Sequence, residues 1–355
     1  MSEELKDKKE AEKAESSEEV KEESKETEPS GKKNKSWIII AGVGGLVVLL
    51  VALSFFLIKR WEGSSKFVID PSIDASTETD DRIFLLPEAL YRTESDGVPT
   101  VVVFGNDTFG DTEYGVGVCR LLQENSTATI YDCTFPGSTM MTRRLNRPEE
   151  TDYPMDYYSL YWLWESVQNG TLDLQENVIP ELEGIDKDLY KEHIDLLKSI
   201  DFNKVDYILI CYDGHDYLAG QTSIYQKDAF MPLCMNGVIY GIHQKVFAHY
   251  PEIQVAFVAP SFCYAVDENG EKIPGNLQEI NGEKLTDSIL FMKEKTQEYG
   301  ISYVDNYFGV AINEETADQY LTEDNVVPNL EGKKLIAAHI INKVLKRIEI
   351  TEEAK

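Results

Sequence analysis

Positive charge is scarce in this sequence of 355 residues, which contains 34 Lys and Arg but 63 Asp and Glu. Residues 1–36 carry −3 of the net charge of −29 and residues 37–58 carry none, so −26 remains for residues 59–355. A folded segment with this excess of carboxylates repels phosphate backbones and anionic surfaces. We therefore expect no nucleic-acid partner.

Cysteine and histidine are also few, with five of each in the chain. The cysteines have no CxxC or Cys/His spacing, and their odd number does not indicate a disulfide framework. Cys133 and Cys211 lie in apolar runs, where cysteine behaves as a small hydrophobic residue. We expect no cofactor.

Long hydrophobic runs are absent except for one, the 22 uncharged residues from Trp37 to Ile58. A helix rising ~1.5 Å per residue over this length spans a ~30 Å bilayer core, and no Ala-x-Ala cleavage site follows. The run predicts an uncleaved transmembrane signal anchor. Five Lys in the twenty residues before it, against three Lys and Arg in the twenty after it, favour a cytoplasmic N-terminus.

The anchor divides the chain into segments of different character. Residues 1–36 are charged and almost without large apolar side chains, which predicts a disordered cytoplasmic tail. Residues 59–97 are polar and irregular, and we interpret them as a stalk or N-terminal extension. Residues 98–348 are predicted to form the extracytoplasmic domain, and residues 349–355 a short tail. The sequence thus predicts a single-pass protein of the cell membrane.

Apolar, β-branched runs alternate with amphipathic stretches throughout the predicted domain. The runs predict strands at 98–105, 127–135, 205–212, 253–260 and 301–307. The stretches predict helices at 115–124, 157–168, 187–200, 237–250, 286–299 and 331–348. Apolar strands separated by helices indicate a parallel sheet covered on both faces. We predict a three-layer α/β/α sandwich with a five-stranded, mostly parallel, flavodoxin-like sheet, which binds ligands at the carboxyl ends of its strands.

The segment before the last predicted helix reads Asp324-Asn-Val-Val327-Pro-Asn-Leu-Glu-Gly332. It resembles the last block of the SGNH/GDSL hydrolases, Asp-x-x-His-Pro-Asn-x-x-Gly, with Val327 at the histidine position. At the first strand end, Gly105-Asn106-Asp107 is similar to the family's Gly-Asp-Ser, so Asp107 stands at the position of the nucleophilic serine. A shift of one residue would place Thr108 there instead. The resemblance covers roughly residues 98–348 and implies an SGNH-hydrolase-like fold.

Two further strand ends resemble the blocks that supply the family's oxyanion hole. Pro136-Gly137-Ser-Thr is similar to the block with the glycine N–H donor, and Asp213-Gly214-His215-Asp216 to the Gly-x-Asn-Asp block, with His215 replacing asparagine. The resemblance implies ligand-binding roles and catalytic roles for two sets of residues. The ligand-binding candidates are Gly137, Asn106 and Asp216, and the catalytic candidates are Asp107, His215 and Asp324.

The substitutions matter because a serine hydroxyl attacks only when a histidine accepts its proton, and valine cannot do so. Among the five histidines, only His215 follows a predicted strand. His339 lies opposite the apolar stripe of the last helix, which predicts that it faces solvent. His215 either donates a hydrogen bond from the asparagine position or pairs with Asp107 or Asp216 as an acid–base couple.

The same carboxylates and His215 could instead bind a divalent metal ion, because carboxylates and imidazole suit such ions. The ligands would be Asp107, Asp111, His215, Asp216 and Asp324. Acidic loops at strand ends are more often solvated or cap helices, so we expect no metal.

Three functions fit the sequence. The first is a membrane-anchored SGNH-like domain without the Ser-His triad, which binds a cell-envelope glycan or a partner protein. The second is a divergent esterase or O-acyltransferase that acts on envelope glycans through Asp107 and His215. The third is a structural envelope protein whose pocket is closed by Val327 and neighbouring aromatic residues.

Overall fold

The computed structural model describes residues 67, 69, 79–87, 90, 97–143 and 153–347. They belong to a compact unit that begins at Lys66. The predicted anchor at 37–58 and the predicted tails at 1–36 and 349–355 lie outside the described residues. Within the described part of the chain, no helix combines the length and apolar character needed to span a bilayer.

Five parallel strands form the central sheet, as the alternating pattern predicts. They are β1 (Thr100–Gly105), β2 (Thr129–Thr134), β3 (Tyr207–Cys211), β4 (Gln254–Val258) and β7 (Ser302–Val304). Their order is β2-β1-β3-β4-β7, and every pairing is parallel. The short strands β5 (Tyr264–Val266) and β6 (Lys272–Pro274) pair with each other in a separate antiparallel hairpin. The chain therefore has an α/β fold whose central strands β1 and β3 are covered on both faces.

Helices connect the strands. They are α1 (Val118–Asn125), α2 (Leu160–Asn169), α3 (Asp173–Val178), α4 (Lys187–Ser199), α5 (His215–Leu218), α6 (Met235–His249), α7 (Leu285–Glu298), α8 (Ala317–Tyr320) and α9 (Leu330–Ile340), which a π-helical turn (Ile341–Leu345) extends. Helix α1 packs against α9, whereas α6 packs against both α2 and α7. The connection from β1 to β2 runs in one direction along the sheet, and the later connections run in the other. Because crossovers between parallel strands are right-handed, the two sets of connections cover opposite faces of the sheet.

Strand β7 is shorter than the predicted 301–307 because polar side chains end it. Asp305 Oδ1 accepts a hydrogen bond from Phe308 N at 3.0 Å, and Asp305 Oδ2 accepts one from Asp80 N at 3.1 Å. These bonds turn the chain and attach the N-terminal extension to it. The backbones of Arg82 and Tyr303 also exchange hydrogen bonds of 2.9 and 2.8 Å in an antiparallel bridge. The extension thereby covers an edge strand that would otherwise present unpaired backbone groups.

The prediction that His339 faces solvent is wrong. Its side chain is fully buried, and its Nε2 lies 3.1 Å from Asp81 Oδ1. Burial disfavours the charged form of Asp81, but the hydrogen bond and positive charge of His339 hold its pKa at about 2. The helical periodicity identifies the face toward the sheet, whereas the opposite face meets Asp81, which lies far away in sequence, and Gly309.

Candidate functional site

The two central strands bring Asn106 and Asp213 together, since Gly105 and Cys211 are paired in register just before them. Asn106 Nδ2 donates to Asp213 Oδ1 at 2.9 Å and to Ser138 O at 3.1 Å, while Asp213 N donates to Asn106 Oδ1 at 3.1 Å. Asn106 is fully buried. Its amide therefore connects the loops after three strands.

Asp213 is the acceptor at the centre of the site. Its Oδ1 lies 2.6 Å from His215 Nδ1 and accepts His215 N at 3.2 Å, and its Oδ2 accepts Thr108 Oγ1 at 3.0 Å. The residue between Asp213 and His215 is Gly214, and glycine is required at this position because a Cβ would lie 2.6 Å from Cys263 Sγ. No role for Asp213 is predicted from the sequence, although this aspartate lies two residues before the only histidine that follows a predicted strand.

His215 and Asp213 form an ion pair. The negative charge of Asp213 raises the pKa of His215 to about 10, against the effect of burial, and Asp107 and Asp324 add to this rise. Burial would raise the pKa of Asp213, but the charge and hydrogen bonds of His215 lower it below its ordinary value. At neutral pH the imidazole is therefore a cation that can donate a proton but cannot accept one.

Asp107 occupies the predicted nucleophile position and binds the predicted oxyanion donor. Its Oδ2 accepts the backbone N–H of Gly137 at 2.7 Å. Gly137 has a φ of +83°, a conformation that glycine adopts without strain. Burial and the charge of Asp213 raise the pKa of Asp107, and the Gly137 N–H opposes that rise. The N–H that would stabilise an oxyanion is thus bonded to a carboxylate.

The carboxylate of Asp216 binds backbone groups of the loop after β2, whereas that of Asp324 binds backbone groups of its own loop. Asp216 accepts Met140 N at 3.0 Å and Met141 N at 3.1 Å, and burial raises its pKa to about 7. Asp324 Oδ1 accepts the N–H groups of Val326 and Val327, both at 2.9 Å. Val327 itself is fully buried. Asp324 thus shapes the turn in which Val327 is buried.

A metal site with all five predicted ligands is not formed by the described residues. The ligating atoms of Asp107, Asp213 and His215 lie within 4.8 Å of one another, but those of Asp111, Asp216 and Asp324 are not in that group. Asp213 already accepts hydrogen bonds from Asn106, Thr108 and two nitrogens of His215. Three of these bonds end on Oδ1 and one ends on Oδ2, so the lone pairs of Oδ1 are occupied and Oδ2 keeps one.

An acidic cleft of about 530 Å³ opens beside Asp107. Four carboxylates and two tyrosines line it. These residues are Asp107, Asp111, Glu113, Asp186, Tyr114 and Tyr190. None of the described lining residues is basic. The cleft therefore suits a ligand that carries positive charge or many hydroxyl donors.

A scan against protein-family models and a search of curated proteins gave no match. Solved structures with a similar fold include a lipase/acylhydrolase from Enterococcus faecalis, which is 13% identical, with 70% of this chain and 97% of that chain covered and a TM-score of 0.38. A possible lipase from Chitinophaga pinensis is 14% identical, with 70% and 98% covered and a TM-score of 0.41. A candidate GDSL-like lipase from Bacteroides uniformis is 13% identical, with 71% and 97% covered and a TM-score of 0.39. Similarities at this level do not indicate an activity for this chain.

Proposed function

We propose that this chain is a single-pass, membrane-anchored extracytoplasmic domain of the SGNH/GDSL type that lacks the Ser-His triad and binds a cell-envelope ligand in its acidic cleft. The observation that supports this proposal best concerns the surroundings of Val327 and His215. Val327 is buried in the core where the family's base would lie, and His215 is bound as a cation to Asp213.

Hydrolysis by the family's route requires a base that accepts a proton near neutral pH. His215, with a pKa of about 10, keeps its proton there. Attack by the Asp107 carboxylate on an ester would expel the alcohol and form an anhydride, which is higher in energy than the ester, so this first step is uphill. The site therefore favours binding over acyl transfer.

A divergent esterase or O-acyltransferase is the second candidate, and one observation favours it. The ligating atoms of Asp107 and His215 lie within 4.8 Å of each other. A carboxylate with a raised pKa beside an imidazolium could act as an acid–base pair. The structural-protein hypothesis is less favoured, since Val327 is not among the residues that line the open cleft.

The cleft chemistry also favours one ligand class over others. Carboxylates bind ammonium groups and sugar hydroxyls, and the half-buried ring of Tyr114 can pack against a sugar face. A partner with exposed phosphates or carboxylates would meet like charge. We propose that the ligand is an envelope glycan with free amino groups, and that a protein partner would need a basic surface.

Binding of soluble oligosaccharides by the full chain in detergent tests this proposal. We expect glucosamine oligomers to bind more tightly than N-acetylglucosamine oligomers of equal length. Glu113→Lys, which reverses an exposed charge of the cleft, should weaken binding about fivefold because one charge contact in water contributes up to ~1 kcal/mol. Glu268→Lys makes the same change outside the cleft. Equal affinities of these two variants, or of the two oligomers, would contradict the proposed ligand class.

The anchor is a separate part of the proposal and has a separate test. The uncharged run 37–58 predicts that the full chain stays in the membrane pellet after washing with high salt. Recovery of the chain in the salt-washed supernatant would contradict it.

A further inference from the structure

A second cavity, of about 310 Å³, lies beside the acidic cleft. Asp111, in the loop after β1, and Leu189, on α4, line both the cleft and this second cavity. The other lining residues of the second cavity come from α1, from α4 and from β2, which is an edge strand of the sheet. Because two walls are shared, the cleft and the second cavity form one groove that runs from Asp107 to the edge of the sheet.

The backbone of this edge strand is already bonded to side chains of the protein. Ile130, Asp132 and Thr134 turn their backbone groups away from β1, because alternate residues of a strand pair with opposite sides. Ile130 N donates to Gln123 Oε1 at 2.8 Å, and Thr134 N donates to Asp132 Oδ1 at 3.1 Å. Thr134 O lies 2.6 Å from His193 Nδ1. These side chains occupy the places of an added strand, so the groove suits a ligand that binds side chains.

His193 contributes a buried hydrogen-bond acceptor to the second cavity. Its side chain lines the cavity, and the residue is only 7% exposed. A carbonyl oxygen can only accept a hydrogen bond, so the hydrogen between His193 and Thr134 O is carried by Nδ1. In the neutral ring Nε2 then has a free lone pair, and it has no hydrogen-bond partner among the residues that the structure describes. Nε2 is therefore the ring nitrogen that is left for a ligand.

Asp132 contributes a second acceptor. Its Oδ1 accepts hydrogen bonds from Thr134 N at 3.1 Å and from Thr134 Oγ1 at 2.6 Å. The thiol of Cys119, which is a weak donor, is a further partner of this carboxylate. A carboxylate has about four lone-pair sites, so Asp132 keeps acceptor capacity for a ligand.

The charge of the second cavity resembles that of the cleft. Three carboxylates line it, from Asp111, Asp132 and Glu192. Arg120 also lines it and is paired with Asp111. Asp132 and Glu192 have no lysine or arginine partner in the described part of the chain. Ammonium and hydroxyl groups of a ligand therefore meet the same chemistry in both cavities.

We propose that the second cavity is a further subsite of the acidic cleft, in which Asp132, His193 and Glu192 bind the units of a glycan chain that extend beyond Asp111. This inference rests on the proposed function and deepens it, because it makes the ligand an extended chain and not a single sugar. Amino and hydroxyl groups of these units donate hydrogen bonds to Asp132 and to His193 Nε2.

Calorimetric titration of the full chain in detergent with a glucosamine dimer and a glucosamine hexamer tests the second subsite. The dimer fits within the cleft, whereas the hexamer also reaches the second cavity. Asp132→Asn keeps an oxygen for Thr134 but removes the charge, and should weaken hexamer binding about fivefold without changing dimer binding. His193→Asn keeps a donor for Thr134 O but removes Nε2, and should give the same pattern.

Asp195→Asn is the matched control, because Asp195 is exposed on the same helix as His193 and lines neither cavity. It should leave both affinities unchanged, whereas Glu113→Lys in the cleft should weaken both. Circular dichroism shows whether each variant folds. Glu192→Gln changes an exposed side chain of the second cavity, so it provides the test if Asp132→Asn and His193→Asn do not fold.

The outcomes separate this inference from the proposed function. Unchanged hexamer binding in folded variants of the second cavity, or an equal loss for dimer and hexamer, would overturn the second subsite and leave the proposed ligand class in place. Failure of the wild-type chain to bind either length would contradict the ligand class and the second subsite together.

Discussion

Replacing Asp213 with asparagine is expected to lower the free energy of unfolding by about 3 kcal/mol, the lower end of the range for breaking a buried ion pair. The Thr108 hydroxyl, the His215 N–H and the His215 ring all direct a hydrogen to this carboxylate. An asparagine amide would direct its own N–H groups at one of these donors. The His215 side chain is 36% exposed, so water stabilises part of the charge that loses its partner.

Chemical denaturation near pH 6 measures this loss. Asp188→Asn is the matched control, because Asp188 is 96% exposed and its pair with Lys191 should contribute less than about 0.5 kcal/mol. Unfolding free energies that agree for the two variants would show that the Asp213–His215 pair does not stabilise the fold.

The same pair predicts a pH dependence of stability. The pKa of His215 is raised in the folded chain from 6.5 to about 10. A raised pKa means that the folded state binds the proton more tightly. The contribution of His215 to the free energy of unfolding is therefore complete below its pKa in the unfolded chain, and it is lost as the pH rises through 10. Asp213→Asn should therefore remove most of the decrease in stability between about pH 6.5 and 10.

Asp216 is expected to produce a second loss of stability at lower pH. Burial raises the pKa of Asp216 from 3.8 to about 7, so its carboxyl group ionises at lower pH in the unfolded chain than in the folded chain. The contribution of Asp216 is complete below pH 3.8 and is lost as the pH approaches 7. A shift of this size corresponds to about 4 kcal/mol. The wild-type melting temperature should therefore fall between about pH 4 and pH 7.

Asp216→Asn tests this assignment in a melting series over that pH range. The variant should be less stable than wild type near pH 4, because one amide N–H would face the Met140 or Met141 N–H. Its melting temperature should change less with pH than that of wild type. Some dependence should remain, since burial also raises the pKa values of Asp107 and Asp132. Parallel wild-type and variant profiles would show that Asp216 does not cause the loss.

The sheet could be predicted from the sequence because its strands are apolar in nearly every position. Val101, Val102 and Val103 of β1, like Ile208 and Leu209 of β3, are buried in the structure. The carboxyl ends of such strands meet at one edge, so the neighbourhood of Asp107 and His215 follows from the topology alone.

The partners within that neighbourhood could not be predicted, because they depend on side-chain geometry. His215 has three aspartates close to it in sequence or at neighbouring strand ends, and only the structure shows that the ring binds Asp213. Lys333 of α9 is fully buried, although lysine is normally solvated. His339 binds Asp81, and the irregular sequence around Asp81 gives no sign that it contacts the last helix.

We would first measure the turnover of short-chain aryl esters and acetylated glycan oligomers by the full chain in detergent, with His215→Ala as the comparison. The proposed absence of a Ser-His triad predicts that wild type and His215→Ala do not exceed the buffer rate, in samples whose circular dichroism shows that they are folded. Turnover by wild type that is lost in His215→Ala would contradict the proposed function and establish an active site that depends on His215.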